Sequence, residues 1–165
     1  MCMNKVNLKL LIGLFLIVLS AFESATAEVY EKYRAVDGDS LESDIVRIRL
    51  IDIDAPELFQ ECYDENNQKY NCGKVALEEL RKYIAGGIKC EKVAVDRYKR
   101  KLMECFDNKG ESINRKMILN GWAVSYGNKY NEEEKTAKGN KTGIWKGRFM
   151  RPELYRALNK SHKKR

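Results

Sequence analysis

The sequence predicts an α+β domain in which short consecutive strands form a small, closed or part-closed β-barrel with helices packed on it. Some segments are rich in Val, Ile and Tyr and alternate apolar with polar residues, which is the pattern of half-buried strands. Other segments repeat apolar residues at the spacing of one helix face. Consecutive short strands around single helices are typical of an α+β arrangement.

The first 27 residues are predicted to be a signal peptide and not part of this domain. Two lysines precede an apolar run at 10–19, and Ala-Thr-Ala follows at 25–27, which is the order of a basic region, an apolar region and a small-x-small cleavage site. The apolar run is short for a membrane span, which needs about 20 residues; an uncleaved anchor is the alternative. Cleavage after Ala27 would leave residues 28–165 as a single domain that is secreted or periplasmic and has no stable association with a membrane.

The N-terminal half of the domain is predicted to contain two strands and a helix. Residues 28–36 and 44–53 have the strand pattern, and the turn between them contains Gly38, which gives the backbone conformational freedom. Residues 73–87 place five apolar side chains on one helical face, and Gly86 ends the helix.

The C-terminal half is predicted to contain a β-hairpin and further short helices. The hairpin strands are Ile88–Val95 and Lys101–Phe106. A helix that starts at Ile113 ends at Gly121 and leads into another strand. Three consecutive acids at 132–134 start a second helix, because negative charge is favourable at a helix N-terminus. Pro152 starts a last helical turn.

The charge of the chain favours an anionic partner. The sequence has 31 basic and 24 acidic residues and a net charge of +7. Without residues 1–27, which contain two lysines and one glutamate, 29 basic and 23 acidic residues remain and the net charge is +6. Such a surplus is typical of proteins that bind nucleic acid or a membrane surface.

Four cysteines remain after the predicted cleavage, and an even number in an exported chain favours disulfides. Three pairings are possible. We favour Cys62–Cys72, which closes a polar loop, and Cys90–Cys105, which ties two neighbouring strands. A four-cysteine zinc site is the alternative, although the sequence has no C-x-x-C spacing.

The sequence excludes several kinds of catalytic site. Its one histidine, His162, lies in the basic C-terminal tail, so Ser-His-Asp and Cys-His sites and an H-E-x-x-H zinc site are excluded. Neither a P-loop nor a G-x-G-x-x-G motif occurs. An enzyme built from this chain has to use carboxylates, arginines, lysines, tyrosines and a metal ion. Hydrolysis of a phosphate ester fits these groups.

The stretch Arg47–Glu57 contains more charge than a buried strand normally carries. If Ile48 and Leu50 fill the core, Arg49 faces the other side of the sheet, where a guanidinium can bind a phosphate through two hydrogen bonds. The strand ends in a turn around Pro56, whose fixed backbone angle makes the turn rigid.

Carboxylates cluster around this turn in the sequence. Asp54 and Glu57 flank Pro56, and Asp37 and Asp39 lie in the preceding turn. Carboxylates that converge at a barrel mouth form an oxygen site for Ca²⁺ or Mg²⁺, and the lack of histidine argues against zinc or copper. The alternative interpretation is that these are ordinary turn acids.

Three motifs in this order resemble the staphylococcal nuclease (thermonuclease) family: VDGDS at 36–40, RLIDIDAPE at 49–57 and DRYKR at 96–100. The similarity covers essentially Tyr33 to Phe149, and exported, disulfide-containing bacterial members are the most similar. It implies a five-stranded OB-type β-barrel with about three packed helices. It also implies cleavage of phosphodiester bonds in DNA and/or RNA with Ca²⁺ and low sequence specificity. We expect a monomer.

The resemblance also implies roles for individual residues. The metal ligands would be Asp39, Asp54 and the backbone carbonyl of Ala55, which stands in place of a family threonine. Glu57 would act on the attacking water, and Arg49 and Arg100 would hold the scissile phosphate.

Substrate binding would involve Arg97 and Tyr98. For Tyr126 and Tyr130, contact with the nucleotide and an ordinary position in the core or on the surface both stay open. Lys99 stands where the family often has glycine. The alternative function is a non-catalytic OB-fold module that binds nucleic acid; the retained acids and arginines argue against it.

Overall fold

The computed structural model describes residues 31–162, and side chains as far as residue 159. The predicted signal peptide at 1–27 and the side chain of His162 lie outside them. The strands are β1 (Arg34–Ala35), β2 (Ser40–Glu42), β3 (Arg47–Leu50), β4 (Ile53–Asp54), β5 (Glu61–Tyr63), β6 (Lys69–Asn71), β7 (Ile88–Val95), β8 (Lys101–Asp107) and β9 (Val124–Ser125). The helices are α1 (Cys72–Ile84), α2 (Ile113–Leu119), α3 (Asn131–Gly139) and α4 (Pro152–His162), with a 3-10 turn at Gly143–Lys146.

Five of the strands form one mixed sheet in the order β1-β2-β3-β8-β7. Neighbouring strands are antiparallel except for β3 and β8, which run parallel. The two edges of the sheet approach each other at Glu31 and Ile88, which exchange two backbone hydrogen bonds of 2.9 and 3.0 Å. Within residues 31–162 the strands do not close into a continuous barrel. The predicted α+β class is confirmed.

The alternation predicted for β3 is present. Ile48 and Leu50 are fully buried, whereas Arg49 lies on the opposite face and is partly exposed. The core behind this strand contains residues from the sheet and from helices α1 and α2: Leu41, Ile48, Leu50, Leu80, Ile88, Ile113, Met117 and Ile118. The core thus fixes β3 with its arginine pointing away from the apolar interior.

Asn114 fixes the parallel pair of strands from within the core. Its side chain is fully buried. The amide nitrogen donates to the carbonyls of Ile51 and Met103 at 3.0 and 3.1 Å, and the amide oxygen accepts from the N–H of Cys105 at 3.1 Å. A buried amide with all these partners satisfied holds β3 and β8 in one register.

Both favoured disulfides are present. Cys62–Cys72 connects β5 to the first residue of α1. Cys90–Cys105 joins residues that lie directly opposite each other on β7 and β8. The cysteines are therefore not the ligands of a zinc site.

The boundaries of several elements differ from the prediction. The strand expected at 44–53 is interrupted because Asp52 has a positive φ of 62°, so β4 leaves the sheet and pairs with β9. The first strand is shorter than predicted, and β2 begins within the stretch assigned to a turn. Residues 31–162 contain four α-helices instead of about three, since the last turn extends into the 11-residue helix α4.

Among the helices of residues 31–162, none combines the length and the apolar character that a membrane span requires.

Candidate functional site

Seven of the eight side chains predicted to act in catalysis, metal binding or substrate binding line one cavity of about 680 Å³. They are Asp39, Arg49, Ala55, Glu57, Arg97, Tyr98 and Arg100. The eighth, Asp54, is 1% exposed and lies directly beneath the cavity, where it bonds Arg49 and Arg156 of the cavity wall. Residues from the β2–β3 region, the Pro56 turn, the β7–β8 turn and helix α4 therefore meet at one place.

Asp39 is held against the Pro56 turn by a close approach that requires glycine at position 38. A Cβ atom on Gly38 would lie 2.6 Å from the Cβ of Ala55 and 2.9 Å from the Cβ of Ala76. The backbone N–H of Ala55 donates to the Asp39 carboxylate at 2.9 Å. Gly38 thus allows the two predicted metal-binding segments to touch.

Arg49 connects two buried carboxylates. Its guanidinium donates to Asp39 at 2.5 Å and to Asp54 at 3.0 Å, and also to the carbonyl of Ile53 at 3.3 Å. Burial alone would lower the pKa of Arg49, but the carboxylates of Asp39 and Asp54 raise it above its ordinary value. Arg49 therefore stays charged in this environment.

The positive charge of Arg49 does not fully offset the rise that burial causes in the pKa of Asp39. Burial raises the pKa of Asp39 to about 7; Arg49 opposes this rise, while the neighbouring Asp37 and Asp54 add to it. A raised pKa means that this environment, above all the burial, disfavours the ionised form of the carboxylate despite its partners. A further positive charge beside Asp39 would stabilise the ionised form.

Asp54 and Glu57 share a second guanidinium, which the sequence did not predict. Arg156 of helix α4 forms two parallel hydrogen bonds to Asp54, at 2.8 and 3.0 Å, and one to Glu57 at 2.9 Å. The hydrogen bonds to Asp54 and Glu57 outweigh burial and raise the pKa of Arg156 above its ordinary value. Arg156 lies 102 residues from Asp54 along the chain, so no local motif could have indicated it.

The Pro56 turn presents Glu57 in a fixed position. Gln60 is fully buried, accepts the N–H of Glu57 through its side chain at 3.2 Å, and donates its own N–H to the Glu57 carbonyl at 2.7 Å. A Cβ atom on Gly73 would lie 1.8 Å from that carbonyl oxygen, so the start of α1 presses on the turn. The Glu57 carboxylate itself is 42% exposed, which gives it access to water.

The turn between β7 and β8 positions Arg100 beside the exposed ring of Tyr98. Asp96 accepts the backbone N–H groups of Tyr98 and Arg100 at 2.8 and 2.9 Å and the side chain of Arg100 at 2.8 Å. Lys99 has a positive φ of 64°, which explains why glycine suits this place in the motif. The guanidinium of Arg97 lies 4.9 Å from the centre of the Tyr98 ring.

The two further tyrosines lie in different places. Tyr126 is exposed and lines the cavity. Tyr130 is a core residue, because it is 4% exposed and its hydroxyl donates to Glu104 at 2.7 Å. The sequence alone did not distinguish an aromatic residue that fills the core from one that faces the cavity.

The oxygen atoms at the cavity are of the chemical type that binds a hard cation. Asp37, Asp39, Glu57 and the underlying Asp54 offer carboxylate oxygens, the donor type that Ca²⁺ prefers. Several of these oxygens bond guanidinium groups, and among residues 31–162 no three acidic, histidine or cysteine side chains are grouped as a metal site. The residues therefore fit a cation by the chemistry of their oxygens, while in this arrangement the carboxylates are neutralised by arginines and are not grouped around one point.

A family model for staphylococcal nuclease homologues matches residues 47–147. The chain belongs to the staphylococcal nuclease family. The match includes the Pro56 turn and the β7–β8 turn. Asp39 lies before the matched residues, and helix α4 with Arg156 lies after them.

Three relatives of this chain have names of different kinds. The chain is 35% identical over 136 residues to the succinoglycan biosynthesis protein ExoI of Rhizobium meliloti. This alignment covers 78% of the chain and 71% of the relative. It is 31% identical over 105 residues to the endonuclease YhcR of Bacillus subtilis, covering 56% of this chain and 8% of the relative. It is 29% identical over 123 residues to an uncharacterized endonuclease of Escherichia coli O157:H7, covering 68% and 73%.

Proposed function

We propose that this member of the staphylococcal nuclease family is an exported, calcium-dependent nuclease that hydrolyses phosphodiester bonds of DNA and/or RNA with low sequence specificity. The observation that carries the proposal is the meeting of Asp39, Asp54 and Glu57 with Arg49 and Arg100 at one cavity. Relatives named as endonucleases support the same reaction class.

The arginines stabilise the charge that develops during the reaction. Attack of water on a phosphodiester adds negative charge to the phosphoryl oxygens, and guanidinium groups placed there lower the barrier. Arg100 is 31% exposed and reaches the cavity from the β7–β8 turn, so it can bind the substrate directly. Ca²⁺ held by Asp39, Asp54 and the carbonyl of Ala55 would supply further positive charge to the same oxygens.

Glu57 acts on the attacking water. Its carboxylate lines the cavity and is the most exposed of the three predicted acidic site residues. It can accept a proton from water or orient the water for attack, and the Pro56–Gln60 turn keeps its position constant.

The substrate is bound through phosphates and base stacking. Tyr98 and Tyr126 are 62% and 56% exposed and line the same cavity as Arg97. Exposed aromatic rings beside arginines bind unpaired bases without regard to sequence, and phosphate contacts do not read sequence either. The net charge of +6 on residues 28–165 assists the approach of a polyanion.

We infer that the sheet has the OB-type topology and that the protein is exported. The bridge between Glu31 and Ile88 supports a part-closed barrel, and two disulfides agree with an oxidising compartment. The mass of the exported chain tests the second inference, because cleavage after Ala27 removes a defined segment, whereas an anchored protein would keep it.

The direct test of the activity is an assay of the purified protein on single-stranded DNA, double-stranded DNA and RNA. We expect cleavage in Ca²⁺ that stops when a chelator is added and resumes when Ca²⁺ is restored. A protein that binds these polymers without cleaving them in Ca²⁺, Mg²⁺ or Mn²⁺ would instead be the non-catalytic binding module. The bonding of Asp54 and Glu57 to Arg156 is the observation that favours this second candidate.

A further inference from the structure

Helix α4 contributes a positive charge to the site from outside the residues that the family model matches. The match ends at residue 147, and α4 begins at Pro152. Its Arg156 nevertheless forms three hydrogen bonds to the carboxylates of Asp54 and Glu57. Parallel hydrogen bonds from one guanidinium to one carboxylate are among the stronger ion pairs in proteins.

These hydrogen bonds use oxygens that a bound cation would need. Oδ1 of Asp54 accepts from Arg49 at 3.0 Å and from Arg156 at 2.8 Å, and Oδ2 accepts from Arg156 at 3.0 Å. A carboxylate oxygen has two lone pairs, so Oδ1 is already fully used. A cation that binds Oδ1 therefore has to displace one of the two arginines.

Arg156 is the arginine that can leave. Arg49 belongs to the central sheet, is 19% exposed and also bonds the buried Asp39. Arg156 is 31% exposed, and of the described side chains of α4 only Pro152 is buried. A helix that buries so little of its surface can shift at small cost.

The start of α4 is attached to the rest of the protein independently of Arg156. Gln60 donates from its side chain to the carbonyl of Met150 at 2.7 Å. Arg151 donates to Glu134 at 3.1 Å and to the carbonyl of Ser125 at 3.4 Å. Release of Arg156 can therefore move the body of the helix while its first residues stay in place.

We propose that Arg156 is an internal counter-ion, which neutralises Asp54 and Glu57 in the cation-free protein and is displaced from them when Ca²⁺ binds. Binding of the cation is then coupled to a movement of α4, and by linkage the docked helix weakens cation binding. This inference rests on the proposed function, because it assumes that Ca²⁺ binds at these carboxylates.

The test compares Ca²⁺ binding by the full-length protein and two variants in isothermal titration calorimetry. Arg156→Gln removes the competing charge and should lower the Ca²⁺ dissociation constant by roughly tenfold or more. Arg115→Gln is the matched control: it removes the same charge from the exposed ion pair between Arg115 and Glu133 and should bind Ca²⁺ as the wild type does. Equal or weaker binding by Arg156→Gln would overturn the proposal.

Hydrogen exchange of the wild-type protein provides a second measurement that needs no variant. Addition of Ca²⁺ should speed exchange of the backbone amides of α4, because Arg156 no longer holds the helix to Asp54 and Glu57. Exchange of α4 that is unchanged or slower in saturating Ca²⁺ would contradict displacement. Exchange in α1 serves as the internal reference.

The outcomes separate this inference from the proposed nuclease function. Cation-dependent cleavage with unchanged Ca²⁺ affinity in Arg156→Gln would leave the nuclease function standing and reject the displacement of Arg156. Absence of Ca²⁺ binding in both wild type and Arg156→Gln would reject displacement as well, and the cleavage assay would then decide separately whether the chain is a nuclease.

Discussion

Arg49 and Arg100 both line the cavity, yet their surroundings give them different tasks. Arg49 is 19% exposed and bonds Asp39 and Asp54, which are buried beneath it. Arg100 pairs with Asp96 in a solvent-facing turn and is 31% exposed. Arg49 therefore contributes to both the fold and the site, whereas Arg100 contributes mainly to the site.

Substitution of Arg49 or Arg100 by alanine should separate the contribution to the fold from the contribution to the site. Arg49→Ala leaves two buried carboxylates without their shared partner and should lower the free energy of unfolding by about 3–5 kcal/mol. Arg100→Ala breaks a part-buried ion pair in a surface turn and should cost about 1 kcal/mol or less. Both should reduce turnover by roughly 10²–10³. Urea denaturation measures the loss of stability, and rate measurements give the loss of turnover. A loss of stability in Arg49→Ala that is no larger than in Arg100→Ala would show that Arg49 has no structural role.

The sequence predicted the residues of the cavity where they lie in short motifs. Asp39, Asp54, Glu57, Arg49 and Arg100 all fall in segments whose spacing is local, so their types and order could be recognised. Arg156 could not be predicted, since its partners are 99 and 102 residues away and only the packing of α4 brings them together. The position of Tyr130 stayed open because its partner Glu104 is also distant in sequence.

Among the elements, the β7–β8 turn carries backbone strain at Lys99, whose φ is 64°. Residues with a Cβ atom are disfavoured there and β-branched residues most of all. Lys99→Gly should leave thermal stability unchanged or slightly higher, whereas Lys99→Val should lower it by about 1–2 kcal/mol. Calorimetry of the two variants tests this, and equal stability of the glycine and valine variants would mean that the turn adapts freely.

Helix α3 provides a pH-dependent contribution to stability through Glu134. Burial would raise the pKa of Glu134, but hydrogen bonds from Lys138, Arg151 and the N–H of Ser125 together hold the pKa below the ordinary value of 4.5. A lowered folded-state pKa contributes stability that is present above the unfolded pKa and is lost as the pH falls through the folded one. The contribution is therefore complete at neutral pH and disappears in acid.

The urea midpoint of the wild type should accordingly fall as the pH decreases below about 4.5. Glu134→Gln should be less stable than the wild type at neutral pH and should lose less stability on acidification. Glu132→Gln, on the same turn of α3 but 84% exposed, should follow the wild type. If Glu134→Gln loses as much stability on acidification as the wild type does, other groups cause the pH dependence.

Elements with a long or strongly periodic pattern were predicted well, and short ones were not. The strand Ile88–Val95 has the bounds that were predicted for it. Both ends of helix α1 lie within about two residues of the ends predicted for that helix. β2 has three residues and β4 only two, so neither contains enough sequence to show a period. β4 exists because β9 pairs with it from more than 60 residues further along the chain, which a local pattern does not reveal.

On the scale of the whole molecule, the two disulfides close short loops in two different parts of the fold. Cys62–Cys72 fixes the small β5–β6 hairpin to α1, and Cys90–Cys105 joins β7 to β8. Their loops of 10 and 15 residues predict a contribution of about 3 kcal/mol each to the free energy of unfolding.

Reduction of both disulfides should therefore lower the urea midpoint substantially. The paired variant Cys90→Ser/Cys105→Ser should lose about half of this stability, since the loop lengths of the two disulfides are similar. Free thiols are counted by mass spectrometry after alkylation. An unchanged midpoint in a fully reduced protein would show that neither disulfide stabilises the fold.

The global feature that the sequence predicted was the α+β class. The even number of cysteines in a chain with a predicted signal peptide indicated disulfides, and the loop at 62–72 and the two neighbouring strands led to the correct pairing. How far the sheet closes could not be predicted, because closure depends on the bridge between Glu31 and Ile88, two residues that belong to no common motif.

The central claim is that the carboxylates and arginines of the cavity perform phosphodiester hydrolysis, with Glu57 acting on the water. The most direct measurement is cleavage and equilibrium binding of one defined single-stranded oligonucleotide by wild type and Glu57→Gln in Ca²⁺. Glu61→Gln is the control, because Glu61 pairs with Lys69 on the exposed β5–β6 hairpin. We predict that Glu57→Gln loses roughly 10²–10⁴ in turnover and binds within about threefold of the wild type, with Glu61→Gln unchanged. Turnover at the wild-type rate in Glu57→Gln would contradict the account.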